Sequence, residues 1–542
     1  MNVLLLVSLA AFALHAQNAP PDLVLLNGKV FTGDAKRPFA EAIAVKGDRI
    51  LAVGTSAMVG ALADRNTQRI ELAGRVVIPG IYDAHFHSLL TPPGGKQLAF
   101  EERDPSWEQT QESVERAARE ASAATWIFGV VGAKVILSPD ANRAALDRIA
   151  PRHPVYLTTF YGHGDLFNTA AMNALAITDH EPDPPGGRFE RQQNTQRLNG
   201  KAWEYAQWGL RRRLARLLPD EVIKDSLRTT AAAMLRFGIT SVDDMPFLDM
   251  DRYVKLREEI ASPIRLRAIR MPIPGESEPR QGRTPQSGRV KVEGTKWILD
   301  GTPFEHGVAL RGRYADAPHR SGAMNFSATE IGKLIEDAVR EKQPLLLHAG
   351  GDRTLETILR EMERRPRLDW KQKRVRIEHG DGVTGDLIQR VRNAGLVVLQ
   401  NPTHFSLVDL IAARYGSGTP FFPLRSLVEQ GIPVAFGSDG PFNPYLNIML
   451  ASLHPARPRE AITREQAVEA YTHGSAYAAF VEKERGRLEP GKLADLVVLT
   501  QDIFTVPPEK LPATASILTI IGGQIVYGAL QAGSDLLDGH AR

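Results

Sequence analysis

The chain of 542 residues contains no cysteine. It can therefore form no disulfide, even in an oxidising compartment, and any metal ion must be bound through nitrogen and oxygen atoms. Neither sign of charge dominates, because 66 Lys and Arg residues balance 63 Asp and Glu residues. A chain of this size with so little net charge gives no electrostatic indication of nucleic-acid binding and carries no acidic tail.

Long apolar runs are also missing, and no later segment reaches the ~20 residues that a membrane-spanning helix needs. Val3 to Leu14 is apolar but too short to cross a bilayer, and Gln17-Asn18-Ala19-Pro20-Pro21 follows it. This pattern predicts a signal peptide over residues 1–19 and a secreted or periplasmic protein. Because the stretch has no Lys or Arg, a buried strand or an uncleaved anchor stays open as an alternative.

Both ends of the chain show short strands separated by turns. Leu23 to Leu26 precedes Asn27-Gly28, and the same style returns over residues 486–528. The first segment predicts a small antiparallel β unit, which cannot bury much surface alone. Because chain termini often meet at one surface, we expect residues 22–76 and 481–542 to form one composite β-sandwich domain.

Between these ends, residues 77–480 alternate apolar runs with helical patterns. Such alternation indicates repeated βα units, so the predicted class is α/β, a TIM (β/α)8 barrel with insertions. One insertion is expected at the turn-rich residues 182–200 and the Arg-rich residues 211–216, whose arginines are interpreted as a solvated helix face. The candidate strands are residues 238–242, 296–299, 344–348, 374–379, 396–400 and 432–437.

The run from Val76 to His87 passes from apolar residues directly into two histidines, His85 and His87. Side chains alternate between the two faces of a strand, so these two imidazoles point the same way. At the C-terminal end of a barrel strand they would offer a chelate for a divalent metal. Two solvated histidines at a strand end are the alternative.

Three further candidate strands end in residues that can bind a metal: His348, His379 and Asp439. Each of them alone is better explained as a capping or hydrogen-bonded residue. Together with His85 and His87 they predict a metal site, because buried imidazoles and a carboxylate need partners and a metal supplies them.

These motifs together resemble the amidohydrolase superfamily. The similarity is greatest to its amidohydrolase-3 or YtcJ-like branch, which includes N-substituted formamide deformylase, and it extends over nearly the whole chain after the signal peptide. The segments that carry it are residues 77–87, Ile377-Glu378-His379, Gly437-Ser438-Asp439 and residues 491–496.

The resemblance implies a TIM barrel with a composite β-sandwich, and a divalent metal centre of one or two ions per subunit, with zinc favoured. His85 and His87 would hold one ion, and His348 and His379 the second. Asp439 would contact metal and move protons. Residues 294–301 resemble the fourth-strand segment whose lysine can be carbamylated and bridge two metals, which nominates Lys296.

The implied chemistry is hydrolysis of a small molecule at a carbon–nitrogen bond other than a peptide bond, in an amide, formamide or cyclic amide. A metal-activated hydroxide would attack, with Asp439 as general base and then general acid. A deaminase or an ester or lactone hydrolase could use the same site. A catalytically silent binding protein on the same barrel would be expected to lack ligands. Whether the chain forms a homo-oligomer stays open.

Substrate-binding residues are nominated by position. Tyr161 and His163 resemble a family segment near the substrate, and His163 could bond a carbonyl or act catalytically on the tetrahedral oxyanion. Asp352 and Arg353 follow His348, and Gln400 ends a candidate strand; a turn or capping role explains each of these equally well. The other histidines are interpreted as mostly surface or structural residues: His153, His180, His306, His319, His404, His454 and His473.

Overall fold

A computed structural model describes residues 19–89, 91–276, 285 and 288–528. The signal peptide predicted for residues 1–19 therefore lies outside the described residues, apart from Ala19. Within the described ranges, no helix is both long and apolar enough to cross a membrane.

The amino-terminal strands divide between two sheets. They are β1 (Leu23–Leu26), β2 (Lys29–Phe31), β3 (Phe39–Ala40), β4 (Ala42–Lys46), β5 (Arg49–Gly54), β6 (Gln68–Glu71) and β7 (Val76–Pro79), with a short helix at Ser56–Gly60. Strands β5, β4, β1 and β6 form the first sheet in that order. The antiparallel pairing expected among β1, β4 and β5 is present, but β1 also pairs in parallel with β6, and β2 pairs in parallel with β7.

Strand β8 (Ile81–Phe86) begins the barrel, and the chain then leaves it for a large insertion. A six-stranded sheet forms from β9 (Lys96–Gln97), β10 (Ile127–Val131), β11 (Val155–Thr159), β12 (Gly164–Phe167), β13 (Gly187–Arg191) and β14 (Leu198–Glu204). Helices Trp107–Glu120, Ala133–Ile136, Arg143–Ile149 and Thr169–Ala174 pack with it. The insertion is therefore much larger than residues 182–200.

The Arg-rich segment lies on the next helix, Tyr205–Leu217, and two of its arginines are buried. Arg211 donates to Asp165 Oδ1 at 3.0 Å, and Arg212 donates to the carbonyl of Met271 at 2.6 Å. The interpretation as a solvated face is wrong for these two residues, because their guanidinium groups tie the helix to the insertion sheet and to the barrel.

The chain returns to the barrel with β15 (Ile239–Asp244), β16 (Arg265–Arg270), β17 (Val290–Ile298), β18 (Leu345–Ala349), β19 (Arg376–His379), β20 (Val397–Gln400) and β21 (Val434–Phe436). Together with β8 these strands form one parallel sheet of eight. Its two edges meet where Asp439 N donates to the carbonyl of His85 at 3.0 Å. The predicted barrel is confirmed, although β16 was absent from the predicted strands.

Helices cover the outside of the barrel, as expected for βα units. They are Asp220–Arg236, Met250–Ile260, Ala328–Arg340, Asp352–Glu363, Trp370–Lys373, Asp386–Ala394, Val408–Tyr415, Arg425–Glu429, Pro444–Leu453, Arg464–Glu469 and Ser475–Ala478. Several have well-capped starts. Ser327, for example, accepts from Glu330 N in a capping box at the start of Ala328–Arg340.

The carboxy-terminal strands complete the second sheet of the smaller domain. Strands β22 (Leu496–Leu499), β23 (Ser516–Ile521) and β24 (Gln524–Tyr527) join β7, β2 and β3 in the order β24-β23-β22-β7-β2-β3. Side chains such as Leu25, Val77 and Leu518 pack together in the core of this domain. Both ends of the chain thus share one sheet, and β7 leads directly into β8, the strand that carries His85.

Candidate active site

His85 and His87 lie at the C-terminal end of β8 and approach the same carboxylate. His85 Nε2 is 3.4 Å and His87 Nε2 is 3.8 Å from Asp439 Oδ1. The i, i+2 spacing thus brings both imidazoles to one side of the strand, as alternation in a strand requires. These three residues form one group whose ligand atoms could hold a metal ion.

His379 lies on the other side of Asp439, at the end of β19. Its Nδ1 is 3.8 Å from Asp439 Oδ2, and its ring centroid is 4.5 Å from that of His348 on β18. Both His379 and Asp439 have positive φ values, 66° and 42°. Such left-handed backbone is unfavourable for residues other than glycine and clusters at functional sites. The carboxylate of Asp439 therefore lies between the His85–His87 pair and His379.

His404 also reaches this site, although sequence reasoning grouped it with surface or structural histidines. It lies on the 3-10 helix Pro402–Ser406 that follows β20. Its Nε2 is 3.8 Å from Asp439 Oδ2, and its ring stacks on His379 with centroids 5.4 Å apart. His379, His404 and Asp439 form a second group that could hold a metal ion. The signal that could have found His404 is its position just beyond a barrel strand.

Hydrogen bonds fix one nitrogen of several site imidazoles. His87 Nδ1 donates to the carbonyl of Met245 at 3.0 Å, and His379 Nδ1 lies 2.8 Å from Asn401 Oδ1. His85 Nδ1 donates to the carboxylate of Glu378. An imidazole held in this way presents its other nitrogen in a defined direction, which is the usual arrangement of a metal-binding histidine.

The protonation states of His87, His348, His379 and Asp439 suit metal binding, whereas burial would lower the pKa of His85 but Asp439 and Glu378 raise it. Burial lowers the pKa of His87 to about 3, and burial also holds the pKa values of His348 and His379 well below the ordinary value. Burial alone would raise the pKa of Asp439, but the imidazoles of His85 and His379 hold it well below its usual range. Neutral imidazoles and an ionised carboxylate are the forms that coordinate a metal.

Lys296 points into the barrel from β17, the fourth barrel strand, and is only 2% exposed. Its Nζ lies 3.3 Å from His85 Nε2. Burial, the largest effect, lowers the pKa of Lys296 to about 8 although Glu378 and Asp439 oppose that change. About a tenth of this amine is therefore uncharged at pH 7, which is the nucleophilic form of a lysine.

A cavity above these residues has an aromatic wall. Tyr161 stacks on Phe304 with centroids 4.4 Å apart, and Phe160 meets Phe304 edge to face at 5.1 Å. Arg103 lies over the ring of Phe160 at 4.2 Å. Other lining residues are His85, His87, His163, Trp208, Phe247, Lys296, His348, His379, Asp381, His404, Phe422 and Asp439. The cavity thus combines a polar base with an apolar wall that suits a small organic molecule.

Three residues nominated for substrate binding make their bonds elsewhere in the protein. Asp352 Oδ1 accepts from Arg311 N at 2.8 Å, and Arg353 Nη2 donates to the carbonyl of Gly322 at 2.9 Å. Gln400 Nε2 donates to the carbonyl of His379 at 2.6 Å, which supports the backbone at that residue. Their role in substrate binding remains a prediction, whereas Tyr161 and His163 do line the cavity.

Below the site lies a layer of charges formed by Asp243, Arg267, Arg376 and Glu378, here called the inner layer. Arg376 Nη1 lies 2.6 Å from Asp243 Oδ2, and Arg376 Nε lies 2.5 Å from Glu378 Oε1. Arg267 Nη1 adds a contact of 3.1 Å to Asp243. Burial would raise the pKa of Glu378, but Arg376 and His85 lower it, so Glu378 stays ionised and holds the His85 ring.

A sequence profile described as the amidohydrolase family matches residues 68–527. The chain belongs to the amidohydrolase family. It is therefore an enzyme, a hydrolase of carbon–nitrogen bonds other than peptide bonds, on a scaffold whose members depend on metal. The two groups of ligand residues that meet at Asp439 agree with that membership.

Curated relatives extend over almost the whole chain. N-substituted formamide deformylase of Arthrobacter pascens is 25% identical, over 93% of this chain and 98% of its own length. The protein LONG AFTER FAR-RED 3 of Arabidopsis thaliana is 27% identical, over 93% of this chain and 91% of its own. The alignments thus cover most of the length of both relatives.

Solved structures support the fold. A metal-dependent hydrolase from Pyrococcus furiosus superposes with a TM-score of 0.67 at 23% identity, covering 89% of this chain and all of its own. At this level of identity the likeness concerns the architecture, a barrel with an attached β domain.

Proposed function

We propose that this amidohydrolase is a metal-dependent hydrolase that cleaves a carbon–nitrogen bond in a small amide, formamide or cyclic amide. The observation that carries the proposal is the position of Asp439 between His85 and His87 on one side and His379 on the other, with contacts of 3.4–3.8 Å. Such a carboxylate can both contact a metal and reach a reacting group beside it.

The donor set fits one or two divalent ions. In this proposal His85 and His87 would hold one ion, His348 and His379 would hold the second, and Asp439 would contribute a carboxylate oxygen. Lys296, as a carbamate, would add oxygen donors whose negative charge offsets that of the ions. Imidazole nitrogens with carboxylate oxygens suit zinc well, so zinc is the proposed metal. His404 is a further donor beside His379 and Asp439.

The residues of the cavity supply the remaining steps. A divalent metal in this site would supply a water whose pKa is about 7 and a Lewis acid for the carbonyl. Asp439 takes the proton of the attacking water and delivers it to the leaving nitrogen, which is general base and then general acid catalysis. His163, with a proton on Nε2, donates a hydrogen bond to the carbonyl oxygen as negative charge develops on it.

The substrate class follows from the cavity wall. Tyr161, Phe160 and Phe304 form an aromatic surface beside the metal ligands. A substituent on the scissile nitrogen or on the carbonyl carbon can pack there, so we propose a substrate with an apolar group. The name of the relative N-substituted formamide deformylase supports a formamide with a substituted nitrogen.

The domain limits and the location in the cell belong to the same proposal. The barrel is assigned to residues 77–480 and the β-sandwich to residues 22–76 and 481–542. Residues 1–19 are proposed as a cleaved signal peptide of a secreted or periplasmic enzyme. To test cleavage and export, the protein is expressed in bacteria, recovered from the periplasmic fraction and sequenced from its amino terminus. Protein that stays in the cytoplasm and retains Met1 would contradict the proposal.

A substrate panel tests the reaction. The zinc-loaded protein is assayed against N-formyl amines, acyl amides, hydantoin-like rings, aryl esters and amino-heterocycles. We expect turnover of one of the first three classes, and its loss in His87→Ala. His319→Ala is the matched control, because His319 is exposed and lies outside the metal groups. Turnover confined to esters or to deamination would overturn the proposed bond, and turnover unchanged in His87→Ala would overturn the proposed site.

A further inference from the structure

We propose that Glu204 is a positioning residue that fixes the ring of His163 and directs its Nε2 toward the reacting carbonyl. The inference rests on the proposed role of His163 and adds a residue that sequence reasoning did not consider. Glu204 is the last residue of β14, at the point where the insertion sheet joins the helix Tyr205–Leu217. It is 41 residues from His163 in the chain.

The contact between the two side chains is close and shielded from water. His163 Nδ1 lies 2.9 Å from Glu204 Oε1 and 3.1 Å from Oε2, and the side chains are 8% and 14% exposed. A hydrogen bond to an ionised partner in such surroundings is stronger than one between neutral groups. The bond therefore fixes the rotamer of His163 and a proton on Nδ1; in the imidazolium form, which a carboxylate partner favours, Nε2 also carries a proton and can donate it to a carbonyl oxygen.

The opposite nitrogen is the one available to a substrate. Nδ1 and Nε2 lie on different sides of an imidazole, so a ring tied through Nδ1 presents Nε2 away from Glu204. His163 lines the cavity, and its ring centroid is 5.0 Å from that of the proposed metal ligand His348. Across the described part of the chain, no protein group is bonded to Nε2 of His163.

Glu204 is itself held in place from the barrel. Asn325 Nδ2 donates to Glu204 Oε2 at 3.0 Å and to the carbonyl of Ile298 at 3.1 Å. Ile298 ends β17, the strand that carries Lys296, so the chain of bonds links His163 to the metal side of the barrel. Glu204 also has a φ of 54°, a backbone conformation that is unfavourable for residues other than glycine and that clusters at functional sites.

A cation site is the competing explanation. The ligand atoms of His163, Glu204 and Glu305 all lie within 4.8 Å of one another. The carboxylate oxygens of Glu204 and Glu305 already accept hydrogen bonds, however. Glu305 accepts from Thr302 N at 2.5 Å and from the Thr302 hydroxyl, while Glu204 accepts from His163 and Asn325. A cation would have to displace these bonds, so the geometry favours a positioning pair.

The kinetic test compares Glu204→Ala, Glu204→Gln and Glu190→Gln in the full-length zinc-loaded enzyme with an N-formyl amine that it hydrolyses. We expect kcat to fall about 10- to 100-fold in Glu204→Ala with KM nearly unchanged. Glu204→Gln should recover part of the rate, because its amide oxygen can still accept from Nδ1–H. Glu190→Gln is the matched control on the neighbouring strand β13 and should keep the wild-type rate.

A second measurement does not depend on activity. Nitrogen NMR of protein labelled at histidine should show a hydrogen-bonded Nδ1–H for His163, lost in Glu204→Ala and retained in Glu190→Gln. Unchanged kcat with an unchanged His163 signal would overturn the inference. Loss of one metal equivalent in Glu204→Ala would also overturn it, in favour of a cation site. Failure of the wild-type enzyme on every amide would instead contradict the proposed function, while the NMR result would still decide the role of Glu204.

Discussion

Two layers of polar residues lie inside the barrel, and their side chains are paired differently. In the inner layer, Arg376 and Arg267 contact carboxylates at 2.5–3.1 Å. In the mouth layer, which comprises His85, His87, Lys296, His348, His379 and Asp439, the nearest contacts of His85, His87 and His379 to Asp439 are 3.4–3.8 Å. In the inner layer the arginines neutralise the carboxylates. In the mouth layer the imidazole nitrogens lie farther from the Asp439 oxygens than hydrogen-bonded atoms would.

Two glutamates, the buried Glu378 and the half-buried Glu305, show the same contrast in their pKa values. Beside Arg376 and His85, Glu378 of the inner layer has a lowered pKa despite its burial. Burial raises the pKa of Glu305, near the mouth, to about 7, since the effect of His163 is smaller. An arginine within hydrogen-bond distance therefore decides whether a buried carboxyl group stays charged. The inner layer thus holds the ring of His85, and the mouth layer contains the residues proposed for the chemistry.

The largest effect is expected from Asp439→Asn, which removes the central carboxylate of the mouth layer. The amide cannot accept the proton of the attacking water, so kcat should fall about 10²- to 10⁴-fold. Steady-state assays at saturating zinc measure this change. Asp409→Asn, at an exposed position on the helix Val408–Tyr415, is the control and should retain the wild-type kcat. A kcat within threefold of wild type in Asp439→Asn would remove Asp439 from the chemistry.

Arg376→Met tests the inner layer. The substitution leaves the carboxylates of Asp243 and Glu378 buried without their shared arginine, which should lower the free energy of unfolding by about 3–5 kcal/mol. Urea denaturation measures it. Arg390→Met is matched to it, because that arginine pairs with Glu363 near the surface and should cost less than about 1 kcal/mol. If both variants lost the same free energy of unfolding, the ion pairs of the inner layer would contribute no more to stability than a surface pair.

Glu378→Gln connects the two layers. It weakens the hold on His85 Nδ1 while leaving the ligand atoms of the mouth layer in place, so zinc affinity should fall about 10- to 100-fold. Competition with a chelator measures the affinity. Asp352→Asn, which alters a carboxylate bonded to Arg311 N outside both layers, should bind zinc as the wild type does.

The smallest effect concerns pH. Because the pKa of Glu305 is raised to about 7, the folded protein keeps this proton after the unfolded chain has lost it at about 4.5. The free energy of unfolding should therefore decrease as pH rises between these values, by no more than about 1.4 kcal/mol per pH unit. Glu305→Gln should remove this component from thermal denaturation measured across that range. If the free energy of unfolding varies with pH in the same way in Glu305→Gln as in the wild type, Glu305 is ionised throughout this range.

The barrel and the convergence at its mouth could be predicted from the sequence, because apolar strands that end in His85, His348, His379 and Asp439 leave a local signal. Strand β16 was missed since it carries Arg265, Arg267 and Arg270, which gives it a polar pattern. Arg267 is buried because Asp243 of β15 pairs with it. This pairing cannot be read from the sequence, because it depends on β15 and β16 lying next to each other in the barrel.

The other residues that sequence reasoning missed depend on distant parts of the chain. His404 reaches Asp439 because the 3-10 helix after β20 turns it inward. Glu204 reaches His163 because the insertion sheet folds back against the barrel. Arg211 and Arg212 are buried for the same reason, although their spacing resembles an exposed helix face. None of these contacts leaves a signal in local periodicity.

The most direct test of the central claim is hydrolysis of an N-formyl amine by the full-length protein before and after removal of metal, with metal content measured on the same samples. The account predicts one or two zinc ions per chain, loss of hydrolysis after chelation, and its return when zinc is added back. Metal-free protein that hydrolyses as fast as the loaded protein would contradict a metal centre at Asp439.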